Sequence, residues 1–88
     1  MLNQPAPPNH VITAHFVLQA AADKRPTATP DPFDPNILDV WATTLYRWHN
    51  FSEQELVAAA KEWATSHFTG WHITPRDVLE LAKEAYHA

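Results

Sequence analysis

The sequence predicts an all-α, compact four-helix domain, and three observations carry that reading. Four segments open on helix-capping residues, their apolar residues recur at helical spacing, and almost no stretch alternates as a strand would. Eighty-eight residues suit one small domain, in which only about 60–68% of the unfolded surface is buried on folding. A core that small needs large side chains. The chain supplies 45% hydrophobic residues, with four Trp, four Phe and two Tyr. One glycine and 18% charged residues exclude a disordered or Gly-rich linker protein.

Residues 1–10 (MLNQPAPPNH) contain three of the eight prolines and no charged side chain, which reads as an extended N-terminal arm. Residues 11–88 form the helical domain. Its first helix is expected over about 14–22, capped by Thr13, with Ile12 and Val17 as a hydrophobic staple and a short apolar stripe of Phe16, Val17, Ala20 and Ala21. Residues 25–35 (RPTATPDPFDP) hold four prolines and must be a loop, since proline lacks the donor that a helix interior needs. The second helix is expected over 35–49, with Asp34 as cap, Pro35 at the first helical position and Phe33 stapled to Leu38. Ile37, Trp41, Leu45 and Trp48 line its apolar face, widened by Leu38.

The third helix is expected over 53–67. Ser52 and Glu55 form a capping box, Phe51 faces Leu56, and Leu56, Ala60, Trp63 and Ala64 share a face with His67 at its end. The very short turn around Asn50 predicts that the second and third helices are antiparallel neighbours. Gly70 suits a left-handed turn. Phe68 and Trp71 are then placed as lids on the core, with an exposed anchor as the other option for Trp71. The fourth helix is expected over 75–86, with an acidic box of Thr74 and Asp77, Pro75 at its first position and Ile73 facing Val78. Val78, Leu79, Ala82 and either Ala85 or Tyr86 form its stripe.

Reactive chemistry is sparse. Without cysteine there are no disulfides, thiolate metal sites or thiol nucleophiles. His10 and His15 are five residues apart, as are His67 and His72, whereas ligands on one helix face prefer three or four. Ser52 is accounted for as a cap, no Ser-His-acid order with an elbow motif occurs, and one glycine cannot build a phosphate-cradling loop. Asp31 and Asp34 adjoin prolines in a turn, where aspartates bond local backbone. The expectation is therefore a protein without enzymatic activity, cofactor or metal. With no apolar run near the ~20 residues of a membrane span and no signal-peptide pattern, a cytoplasmic setting is expected.

A formal charge of −4 argues against a surface that tracks phosphates. Lys24, Arg25 and Arg76 could touch phosphates, and the start of the fourth helix could enter a groove, so a small DNA-binding regulator is one alternative. The neighbouring Asp77, Glu80 and Glu84 oppose it. What remains is a protein-interaction module, monomeric or dimeric, with Trp41, Trp48 and Trp63 in its core. Phe33, Trp71, His72 and Arg76 are its candidate contact residues, because no helix stripe demands these large groups.

Three stretches carry a family resemblance. They are Leu38-Asp39-Val40-Trp41 with Leu45, Phe51-Ser52-Glu53 with Leu56 and Ala60, and Ile73-Thr74-Pro75-Arg76-Asp77-Val78. Together they resemble the small phage helicase-loader/inhibitor proteins and related replisome-organiser components, and the opening Val11-Ile12-Thr13-Ala14-His15 looks like their actinobacteriophage branch. The resemblance covers about residues 11–85. It implies a helical domain that contacts a replicative helicase or initiator during DNA replication, and it carries no catalytic residue. In the loader proteins a disordered C-terminal extension is implicated in holding the helicase, and this sequence stops at Ala88, directly after the fourth helix, which leaves a scaffolding or inhibitory role open. A phage factor that binds another host protein is the further alternative.

Overall fold

A computed structural model describes residues 8–48, 51–66 and 70–86, with the side chains of 8, 9 and 46–48 left aside. Four α-helices account for most of these residues: α1 (Pro8–Ala22), α2 (Pro35–Trp48), α3 (Glu53–Ser66) and α4 (Pro75–Tyr86). A 3-10 turn, Pro26–Ala28, follows α1. The described residues contain no strand, and the architecture is the all-α four-helix one. The Cα radius of gyration is 12.0 Å, the size expected of a compact chain of this length.

Three helix starts are made as their sequences dictate. At α2, the Asn36 amide donates to Asp34 Oδ1 at 2.9 Å, and Pro35 opens the helix without needing a partner for a missing donor. At α3 the capping box is reciprocal. The Glu55 amide donates to Ser52 Oγ at 3.2 Å, and the Ser52 amide donates to Glu55 Oε1 at 2.9 Å. At α4 the Thr74 amide and hydroxyl both donate to Asp77 Oδ2, at 2.8 and 3.0 Å, while the Asp77 amide returns to Thr74 Oγ1 at 3.3 Å. Ile73 and Val78 flank this cap and are both buried.

The start of α1 differs from the sequence reading. The helix begins at Pro8, so residues 8–10 belong to it and not to an extended arm. Residues 1–7 of that arm lie outside the described residues. Proline at the first helical position needs no amide donor and already has a helical φ, so it starts a helix as readily as it prevents one. Thr13 therefore lies inside α1 and is not its cap. Its hydroxyl instead donates to Glu53 Oε1 of α3 at 3.0 Å. Ile12 is 53% exposed and forms no staple over the buried Val17.

The helices pack as a ring: α2 against α1, α1 against α3, α3 against α4, and α4 back against α2. Among the described residues the backbones of α2 and α3 do not approach each other closely, so the short connection between them does not make them packed neighbours. A short connection limits only how far apart two ends lie. The pairing is decided by α1, whose apolar residues are spread around the helix rather than along one stripe. Ala14, Val17, Leu18 and Ala21 are wholly buried, and α1 serves both α2 and α3. Alanines on the facing helices (Ala59, Ala60 and Ala64 on α3) keep the side-chain layer thin where backbones approach.

Trp41, Ala42 and Leu45 from α2, Leu56 and Trp63 from α3, and Val78, Leu79 and Ala82 from α4 complete a core with no buried polar side chain among the described residues. Ile37, Leu38 and Phe51 pack on its margin. Phe16 belongs to the expected stripe of the first helix but is 45% exposed, and the adjacent Leu18 takes the interior position. Ala85 and Tyr86 are both exposed. The expectations for the Trp48 side chain, Asn50, His67 and Phe68 fall outside the described residues.

Candidate docking surface

The connection between α1 and α2 is held by its own side chains. The Phe33 amide donates to Asp31 Oδ1 at 2.9 Å, and the Asp34 amide donates to the Asp31 carbonyl at 3.2 Å. Aspartate favours such turns because its short carboxylate reaches the amide two residues on. Thr29 Oγ1 donates to the Arg25 carbonyl at 2.8 Å. One tether comes from a helix: His15 Nδ1 lies 2.7 Å from the Pro32 carbonyl. A carbonyl oxygen only accepts, so Nδ1 carries the proton and donates.

The same imidazole organises two phenylalanines. Its ring centroid is 5.4 Å from that of Phe16 and 5.0 Å from that of Phe33, both tilted. Phe33, expected to staple onto Leu38, thus stands over α1 and is 69% exposed. Ile12 lies one turn before Phe16 on the same exposed side of α1. Beyond Phe16 a groove of about 440 Å3 runs between α1 and α3. Its apolar lining is Phe16, Ala20 and Val57, and its rim mixes Asp23, Glu53 and Lys61.

The second exposed element is the 70–74 loop that leads into α4. Gly70 has φ +94°, the left-handed region that side-chain-bearing residues avoid. The Ile73 amide donates to the Ala28 carbonyl at 3.0 Å, and the Ile73 side chain is buried, so Ile73 anchors the α4 side of the loop. Trp71, two residues before this anchor, is 77% exposed. It is not a lid on the core. His72 beside it is exposed. Arg76 is exposed on the first turn of α4, where its Nε donates to Glu80 Oε1 at 3.0 Å.

Of the four residues singled out from sequence, Phe33, Trp71, His72 and Arg76 all face solvent. Phe33 contacts His15, Trp71 and His72 lie in the loop before α4, and Arg76 is engaged with Glu80. The sequence reading passed over Ile12, Phe16, Val40 and Tyr86 as exposed apolar groups, and His15 as the residue that joins α1 to the loop. For Ile12 and Phe16 a signal existed, because a helix apolar on every side cannot bury them all in so small a domain. His15 had no such signal, as its partner is a backbone carbonyl 17 residues away.

One cation is committed to the fold. Arg25 Nε donates to the Ala64 carbonyl near the C-terminus of α3 at 2.9 Å, where a positive group also meets the negative end of the helix. At α4 the Asp77 carboxylate occupies the position at which a phosphate would approach the helix start. Among the described residues no three His, Asp or Glu side chains gather as metal ligands would, and no helix is long and apolar enough to cross a membrane. No family model matches the chain, and no curated protein or solved structure is similar to it.

Proposed function

We propose that this domain is a non-enzymatic protein-docking module of the phage helicase-loader/inhibitor type, which binds a replicative helicase or initiator without chemistry of its own. The observation that carries the docking reading is the contrast among tryptophans. Trp41 and Trp63 are 4% and 2% exposed, whereas Trp71 is 77% exposed, two residues before the anchored Ile73. An indole left in solvent contributes little to folding, and tryptophan is among the residues that dominate binding energy at protein interfaces. Phe33, His72 and Arg76 add an aromatic and two polar groups. The replication assignment itself is supported by the resemblance of the capped helix starts alone. Docking onto nucleic acid is disfavoured by the net charge of −4 and by the bonds that Arg25 and Arg76 already make.

The test is affinity capture from lysate of the bacterial host with the tagged chain, its Trp71→Ala variant, and a nuclease-treated sample. Recovery of the replicative helicase or initiator by wild type in both samples, with loss on Trp71→Ala, is the expected result. A different host protein would retain the docking module and refute the replication assignment. Capture that disappears on nuclease treatment would refute both in favour of a DNA-binding regulator acting through α4.

A further inference from the structure

The 26–46 segment contains Asp31, Asp34 and Asp39 and neither lysine nor arginine. Within it Phe33 stands between two carboxylates, 69% exposed, on a turn closed by three hydrogen bonds: Phe33 amide to Asp31, Asp34 amide to Asp31, and His15 to Pro32. Prolines at 30, 32 and 35 restrict the same backbone. The imidazole of His15 supports one side of the Phe33 ring, and the remainder is open. Asp39 and Val40 continue the pattern, as an exposed carboxylate beside a valine that is 62% exposed on α2.

We propose that the 31–34 turn is a preformed docking element, which inserts Phe33 into an apolar pocket ringed by lysine or arginine side chains on a protein partner. This rests on the docking reading above and names the chemistry of the partner's site. An aromatic anchor gains affinity by filling a pocket, and it binds more tightly when its own backbone has little freedom left to lose. Asp31 and Asp34 lie at the rim of such a contact. There, opposite charge steers the encounter and selects against acidic or neutral pockets. A nucleic acid would meet the carboxylates first and be repelled. A second copy of this turn would oppose like charges.

The experiment places a photoreactive benzoylphenylalanine at position 33, or separately at position 71, of the full chain in host lysate. The cross-linked partner peptide is then identified. The expected product from position 33 maps to an apolar segment of another protein bordered by lysine or arginine. With that partner purified, Asp31→Asn combined with Asp34→Asn should weaken binding about tenfold and flatten its salt dependence. Asparagine retains the side-chain oxygens that accept from the Phe33 and Asn36 amides, so the turn and the α2 cap persist. An unchanged thermal midpoint of the double variant checks this. Loss of less than twofold, or cross-linking from position 33 only to a second copy of the chain, overturns the proposal. Cross-links to a protein from position 71 but none from 33 overturn it while leaving the docking module standing. No cross-link from either position refutes both.

Discussion

Two tryptophan-to-alanine substitutions separate folding from docking with identical chemistry. Trp41 is 4% exposed, on the α2 face that also buries Ala42 and Leu45, and Trp71 is 77% exposed. A buried tryptophan removes about 150–250 Å2 from water, or about 4–6 kcal/mol at roughly 25 cal/mol per Å2. Partial collapse of the site brings Trp41→Ala to about 3–5 kcal/mol. An 88-residue domain has about 4–13 kcal/mol in total, so this variant is close to its folding limit. Trp71→Ala should change stability by less than about 0.5 kcal/mol. Urea unfolding followed by circular dichroism at 222 nm, with both variants and wild type fitted to linear extrapolation, measures the difference. At about 4–8 °C per kcal/mol for a domain of this size, the melting temperatures should separate by more than about 10 °C. A cost below about 1 kcal/mol for Trp41→Ala would refute the placement of α2's apolar face. A cost above about 2 kcal/mol for Trp71→Ala would show that its ring supports the fold and would remove the main ground for the docking reading.

Other substitutions probe the connections between elements. Arg25→Ala removes the guanidinium bond to the Ala64 carbonyl, and unfolding should be easier by about 1–2 kcal/mol, read from the urea midpoint at constant slope. Gly70→Ala meets no atom within 4 Å of the added Cβ, so its cost is that of the positive φ alone. Calorimetry should show a loss of about 1–2 kcal/mol, and a neutral result would mean the loop relaxes to another backbone conformation.

The starts of α2, α3 and α4 were legible in the sequence because a cap is a local matter. Asp34, Ser52 with Glu55, and Thr74 with Asp77 each reach amides two or three residues away, and no distant residue can change that geometry. Helical spacing likewise marked Trp41, Leu45, Leu56, Trp63 and Val78 for the interior, where all five are found. The start of α1 was not legible. Pro8 is compatible with an extended arm and with a first helical turn, and packing of Ala14, Val17 and Leu18 against two other helices favours the turn.

By itself, then, the sequence determined that four amphipathic or apolar helices form and where three of them begin, since those outcomes rest on interactions within one turn. Only the tertiary structure decided that α1 lies between α2 and α3, that the described parts of α2 and α3 are not packed side by side, and that Phe33 stands over His15. It also decided which tryptophan is left in solvent. Trp71 is an indole in a loop, two residues from the Ile73 amide that reaches the Ala28 carbonyl 45 positions earlier in the chain, a pairing that no local spacing encodes.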